Sequence, residues 1–185
     1  MEKRISTPIG NLILIAKDGR LVYCNWEEKD CLNKYKKIIS SLGNSEAGKG
    51  PEEKDTQGNG NETTKDQAVI DSAIAQLKEY FEGKRTRFSI PMKLTGTEFQ
   101  KQVWEIMFDN ISYGQTLSYR DLSTLCGRNK AARAVARACG SNPLAIFIPC
   151  HRVVASGGES GGYTGGKEKK LFLLNLERDN LKSLY

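Results

Sequence analysis

The 185-residue chain has a single histidine, His151, and no two cysteines spaced C-x-x-C. A structural zinc site built from Cys and His therefore lacks ligands at suitable spacing, and no metal is expected. The five cysteines (Cys24, Cys31, Cys126, Cys139 and Cys150) are an odd number without paired spacing. That pattern fits reduced thiols in an intracellular compartment, cytoplasm or a eukaryotic nucleus, better than a disulfide framework. No run approaches the roughly 18 apolar residues that a membrane span needs. The N-terminus, Met1 to Ile5, has no apolar signal core, so neither secretion nor a membrane is expected. The glycines from Gly161 to Gly166 lack the strand–glycine–helix order of a phosphate-binding fingerprint.

Hydrophobic residues make up 38% and charged residues 27%, enough for one ordinary domain or two small ones. The net charge of +6 is unevenly placed: residues 1–83 hold 12 Lys/Arg against 14 Asp/Glu, and residues 84–185 hold 16 against 8. Any contact with a polyanion is thus assigned to the C-terminal half.

Ile5 to Ile9, Leu12 to Ala16 and Leu21 to Trp26 read as short strands. The turns between them fall at Pro8-Ile9-Gly10-Asn11 and Lys17-Asp18-Gly19-Arg20. Trp26 and Tyr23 read as packing residues. Leu32 to Leu42 suits a short helix, and the polar stretch 43–64 cannot bury enough surface to order itself, which predicts a mobile loop. From Asp66 an apolar stripe (Val69, Ile70, Ala73, Ile74, Leu77, Tyr80, Phe81) predicts a helix stopping at Gly83. Pro91 and Gly96 mark a hinge, dividing the chain into residues 1–90 and 91–185.

In the second half, Thr97 opens a helix that buries Phe99, Val103, Trp104, Met107 and Phe108. Ser118 caps a short helix ending at Cys126-Gly127, and a further helix spans Lys130 to Cys139. Two short helices around a glycine turn make a helix-turn-helix candidate. The second is crowded with alanine, including Ala132 and Ala134, and carries Arg133 and Arg137 four residues apart on one face. Alanines alone describe a helix packed in a core; the two arginines favour contact with nucleic acid.

The stretch Ile146-Phe147-Ile148-Pro149-Cys150-His151-Arg152-Val153-Val154 delivers a thiol, an imidazole and a guanidinium between apolar runs. By itself this reads as a buried strand with a structural cysteine. A thiol acts as a nucleophile in its thiolate form, which a neighbouring imidazole favours. Its surroundings decide between these readings. With Asn142-Pro143, Ala132-Arg133-Ala134-Val135, Ser118-Tyr119, Gly162-Tyr163-Thr164-Gly165-Gly166 and Leu173-Leu174-Asn175-Leu176-Glu177, the Pro149-Cys150-His151-Arg152-Val153 core strongly resembles the O6-alkylguanine-DNA alkyltransferase family. The match covers roughly residues 91–178, in order and spacing.

That resemblance implies an α+β protein with a small N-terminal antiparallel sheet-plus-helix domain. A C-terminal helical domain, winged helix-turn-helix-like, would bind DNA and catalyse. It implies direct, irreversible transfer of the alkyl group from O6-alkylguanine, less well O4-alkylthymine, to Cys150. In this reading His151 is the general base through a water and Glu177 orients it. Asn142 fixes the turn between the recognition helix and the active-site strand, and Tyr119 assists flipping of the nucleotide and protonation of the leaving base. Arg133 fills the gap in the duplex, with Ala132, Ala134 and Arg137 alongside. Tyr163, Thr164, Gly165, Val153, Cys139 and Ala145 border the alkylguanine pocket. Ala145 stands where some relatives carry proline. No cofactor and no obligate protein partner are implied, only double-stranded DNA containing the lesion, bound by a monomer. Arg152 is expected to cap carbonyls rather than touch DNA. The rivals are a damage sensor that flips without transfer, a helix-turn-helix regulator with a redox thiol, and a cysteine hydrolase. The first replaces the cysteine, the second has no need of Tyr119, Asn142 and Glu177 together, and the third draws Cys and His from separated segments.

Overall fold

The computed structural model describes residues 1–29, 31, 40, 59–157 and 161–182. Three strands, β1 (Glu2–Thr7), β2 (Gly10–Lys17) and β3 (Arg20–Trp26), form an antiparallel sheet in that order. The two expected turns connect them, and Asp18 and Gly19 at the second both take positive φ, 57° and 67°. Asp–Gly suits that geometry because glycine has no Cβ to clash and Asp tolerates the left-handed region. Side chains alternate as the pleat requires. Leu12, Leu14 and Ala16 face the main core, while Ile13 and Ile15 form a second cluster with Val22 and Tyr23.

Helix α1 (Asn59–Phe81) packs across the sheet and begins earlier than its apolar stripe predicts. Residues 59–64, expected in the mobile loop, are helical. A helix can extend over solvent-exposed polar positions such as Thr63, Thr64 and Lys65 without burying them. Asp66 ties its first buried turn to the sheet by accepting the Gly19 amide at 2.7 Å. The remainder of the expected loop, and most of the helix expected at Leu32 to Leu42, lie outside the described residues.

Helix α2 (Glu98–Asn110) starts with a capping box. Gln100 N donates to Thr97 Oγ1, and the Gln100 side chain accepts from Thr97 N at 2.9 Å. It buries Val103, Trp104 and Met107; Phe99 and Phe108, expected there, are only half-buried. Strand β4 (Leu117–Ser118) leads into α3 (Tyr119–Leu125), capped as predicted by Ser118, which accepts from Asp121 N at 3.1 Å. Helix α4 (Ala132–Gly140) follows a turn pinned by Ser123, whose hydroxyl donates to Arg128 O and accepts from Ala131 N. Cys150–Arg152, expected in a strand, is a single 3-10 turn; the strand β5 is confined to Val153–Val154, and α5 (Lys167–Lys182) follows. Strands β4 and β5 pair in parallel, so the entry to α3 is tied to the residues that follow the Cys-His-Arg turn.

The outer edge of β3 is where the two halves join. Leu21 N donates to Pro91 O at 2.8 Å and Lys93 N to Leu21 O at 3.0 Å. Further along, Cys24 N donates to Pro143 O at 2.8 Å and Ala145 N to Cys24 O at 2.7 Å. An open sheet edge is thereby covered by the inter-half linker and by the segment that leads to Cys150. One continuous core runs from Leu12 through Tyr80 and Trp104 to Val153 and Leu173. No described helix is long and apolar enough to cross a membrane.

Candidate active site

The site is assembled from four places in the chain. Asn142, directly after α4, is buried, and its amide organises the approach to the thiol. Its Oδ1 accepts from Leu144 N at 3.0 Å, while Nδ2 donates to Ile148 O at 2.9 Å and to Cys150 Sγ at 3.2 Å. Asparagine suits this position because one short side chain offers both an acceptor and donors. The chain between turns tightly, with Ile148 N donating to Leu144 O at 2.8 Å and Ile146 held at φ 73°. A β-branched residue in that region is strained by about 1–3 kcal/mol and persists where packing fixes it. Ile146 is buried on all sides.

His151 and Glu177 are fully buried, and His151 Nε2 lies 2.8 Å from Glu177 Oε1. Glu177 projects from α5 with Leu173 and Lys170 on one buried stripe. Its carboxylate also accepts from Arg152 Nε at 2.9 Å, Arg152 Nη2 at 3.0 Å, Gly114 N at 2.9 Å and Tyr80 OH at 2.7 Å. Burial alone would push this carboxyl upward; His151 and Arg152 outweigh it and bring it down to about 2. Burial pulls His151 below the ordinary imidazole range, against the opposing pull of Glu177. A neutral imidazole facing a carboxylate must carry its proton on Nε2, which leaves Nδ1 as the unprotonated acceptor. Nδ1 is buried and has no hydrogen-bond partner among the described residues.

Arg152 caps a carbonyl as expected, donating from Nη1 to Ile111 O at 2.7 Å. Its larger role, the forked pair with Glu177, was not read from the sequence. Tyr119 at the start of α3 is half-buried, and its hydroxyl donates to Gly162 O at 3.3 Å. Burial, followed by the nearby Cys139 and Cys150 thiols, pushes its phenol up to about 12. Thr164 Oγ1 donates to Gly140 O at 2.9 Å, tying the glycine loop to the end of α4. Cys139 is buried against Met107 Sδ at 3.6 Å, and burial pushes its thiol up. Val153 is buried, its carbonyl accepting from Lys170 Nζ at 2.5 Å. The Ala145 amide is occupied by Cys24 O, a bond that proline could not donate.

Arg133, Ala134 and Arg137 stand exposed on α4 and Ala132 is half-buried, whereas Val135, Ala138 and Cys139 face the core. Trp104 Nε1 fixes the far end of this helix by donating to Ala138 O at 2.8 Å.

Four residues near the site were not singled out in the sequence. Trp26, read as packing, donates from Nε1 to Tyr163 OH at 3.1 Å, and its indole lies so close to Gly165 that a Cβ there would fall 2.1 Å from the ring. Asn25 Nδ2 donates to Asn142 O at 3.0 Å. Tyr80 was placed in an apolar stripe, which hides its hydroxyl. Lys170 carried a usable signal: with Leu173 and Glu177 it follows the i, i+3, i+7 spacing of a buried helix face, where an unpaired lysine is unexpected. Burial lowers its ammonium from the ordinary range, against the Cys150 and Cys139 thiols.

The fold and site together are those of a DNA-binding domain that carries a buried Cys-His-Glu constellation. Residues 98–179 match the 6-O-methylguanine DNA methyltransferase DNA-binding domain, and residues 2–94 match the ribonuclease-like domain of the same proteins. The chain is 36% identical over 177 residues to the constitutive methylated-DNA–protein-cysteine methyltransferase of Bacillus subtilis, covering 95% of this chain and 94% of that one. Among solved structures it resembles Mycobacterium tuberculosis OGT in complex with DNA, with a TM-score of 0.73, 32% identity and coverage of 97% and 93%. A Methanococcus jannaschii O6-methylguanine DNA methyltransferase superposes with a TM-score of 0.59, 29% identity and coverage of 95% and 93%. The chain belongs to the methylated-DNA–protein-cysteine methyltransferase family.

Proposed function

We propose that this protein repairs DNA by moving the alkyl group of O6-alkylguanine, and less readily O4-alkylthymine, onto Cys150. The observation that carries the reading is the buried His151–Glu177 pair beside Cys150. With Nε2–H committed to the carboxylate, Nδ1 is the base that receives the thiol proton through a water. The Asn142 Nδ2 donor, 3.2 Å from Sγ, stabilises the thiolate. Sulfur attacks the alkyl carbon in line: the S–C bond forms as the C–O6 bond breaks, and the base departs with the electron pair. Tyr119 retains its proton at neutral pH and supplies it to the departing base. A thioether is a very poor leaving group, so nothing returns Cys150 to a thiol and each protein acts once.

An O6 substituent inside the duplex stack is out of reach of a buried thiol, so the nucleotide turns out of the helix first. Arg133 is exposed on a helix whose neighbouring side chains are small, which suits close approach to DNA and filling of the vacated space. Arg137 contacts backbone phosphate beside it. Tyr163, Thr164 and Gly165, with Val153, Cys139 and Ala145, border the pocket for the extruded base. The division of labour follows the chain: residues 91–185 bind and react, and residues 1–90 brace them. The reaction needs no cofactor and no second protein, and a monomer performs it. Five cysteines outside any disulfide support a reducing intracellular setting for it.

The test is incubation with duplex DNA carrying one O6-methylguanine, followed by peptide mass spectrometry. One added methyl on the Cys150 peptide with stoichiometric loss of the lesion is expected. Tight lesion binding without added mass would overturn transfer in favour of damage sensing.

A further inference from the structure

The residue that joins the N-terminal half to the proton relay is Tyr80. It lies in the last turns of α1, fully buried, with its ring against Phe81, Phe88 and Tyr113 at centroid distances of 5.4, 5.5 and 5.9 Å. Those contacts account for an aromatic ring and would be served equally by phenylalanine. They do not account for the hydroxyl, which points at Glu177 Oε1 from 2.7 Å, the same oxygen that faces His151 Nε2 at 2.8 Å.

Resting on the alkyl-transfer reading above, we infer that Tyr80 is a positioning residue of the reaction: by donating to Glu177 Oε1, it limits how strongly Glu177 draws on His151 and so sets the basicity of His151 Nδ1. The physical argument concerns shared charge. An oxygen that accepts from a phenol places less negative charge on its second acceptor direction, and in a dry site that difference is not screened by water. Burial raises the Tyr80 phenol well above its ordinary range, with Glu177 adding to the rise, so Tyr80 remains a donor at every working pH. The other groups around the relay are Arg152 from the 3-10 turn, Lys170 from α5, Tyr113 from the loop after α2 and the Gly114 amide. Of these, Arg152 and Gly114 also donate to the carboxylate, so Glu177 keeps partners when the Tyr80 hydroxyl is removed. Tyr113 is the internal comparison: it packs beside Tyr80, but its hydroxyl accepts from Asn180 Nδ2 at 2.9 Å.

The measurement exploits His151 being the only histidine in the chain. Nitrogen-15 NMR of the imidazole in the full-length protein follows its titration and tautomer without assignment, and it needs no alkyl transfer. Tyr80→Phe is expected to raise the His151 titration midpoint by roughly half a pH unit or more. The acid limb of the single-turnover rate profile on O6-methylguanine DNA should move up with it, about threefold in rate on that limb for a half-unit shift. Tyr113→Phe should move neither. An unshifted His151 titration in Tyr80→Phe would overturn the inference even if transfer proceeds. A shifted titration in a protein that transfers nothing would instead refute the alkyl-transfer reading and leave the Tyr80 contact standing. In the unsubstituted protein the Tyr80 hydroxyl proton should resist solvent exchange and show a short through-space contact to the His151 Nε2 proton. Absence of that contact overturns the inference without any variant.

Discussion

Replacing Glu177 by Gln changes one atom and removes one charge, which makes it a sharp probe of the buried centre. Among the described residues the carboxylate faces only donors: His151, Tyr80 and Arg152 on Oε1, and Arg152 and Gly114 on Oε2. Whichever end the new amide nitrogen occupies, it points an N–H at another donor. Arg152, a residue only 6% exposed, also loses its counter-charge. Breaking a buried pair from one side costs about 3–5 kcal/mol. For a chain of this size that corresponds to a fall in Tm of roughly 6–20 °C. Calorimetry or circular dichroism reads the stability. The single-turnover transfer rate, taken at a temperature where the variant remains folded, reads the chemistry. The rate per folded molecule should fall by roughly a hundredfold or more, the scale of a lost general base. A variant melting within a degree or two of the parent would refute the counter-charge argument. Normal transfer by a destabilised but folded variant would refute the orienting role and leave Glu177 as a structural partner of Arg152.

Acidification should destabilise the protein in two overlapping stages. His151 is held below its ordinary value of 6.5 by burial, so its contribution is complete above about that pH and fades as pH falls toward its folded value. Glu177 is depressed from 4.5 to about 2, so about 3 kcal/mol is present above pH 4.5 and lost as pH falls through that window. Urea melts at stepped pH should show both stages, and Glu177→Gln should lack the lower one. Gly165→Ala would place a Cβ 2.1 Å from the Trp26 ring, so the ring or the loop must shift. We expect a stability loss of about 1–3 kcal/mol with slower transfer, and recovery of both on adding Trp26→Phe would trace the effect to that contact. Arg133→Ala should slow repair of duplex DNA while leaving reaction with a free alkylguanine base near normal. Equal losses on both substrates would remove Arg133 from the flipping step.

The chemistry-bearing residues were legible because the short motifs that hold them resemble a known family; read alone, the Cys150-His151 stretch is a buried strand with a structural cysteine. Cys150, His151 and Arg152 are consecutive, Asn142 lies eight residues before the thiol, and Glu177 falls in the last stretch that matches the family, Leu173 to Glu177. Turns and caps act locally: Asp18-Gly19 turns through its own positive φ, and Ser118 caps through a bond from Asp121 three positions away. The start of α1 was misplaced because apolar periodicity says nothing about exposed helical turns such as 59–64.

What the sequence by itself determined is the inventory: an Asp-Gly hairpin, an alanine-crowded helix with two arginines, and one thiol beside the sole imidazole. Only the tertiary structure decided how the N-terminal half serves that inventory. Tyr80 and Glu177 are 97 residues apart, Trp26 and Tyr163 are 137 apart, and each pair meets through a single side-chain hydrogen bond. A tyrosine in an apolar stripe looks the same whether its hydroxyl meets water or a carboxylate, and no periodicity or motif encodes the difference. Long-range contacts of this kind depend on how the open edge of β3 receives residues 91–93 and 143–145, and that docking exists only in the folded chain.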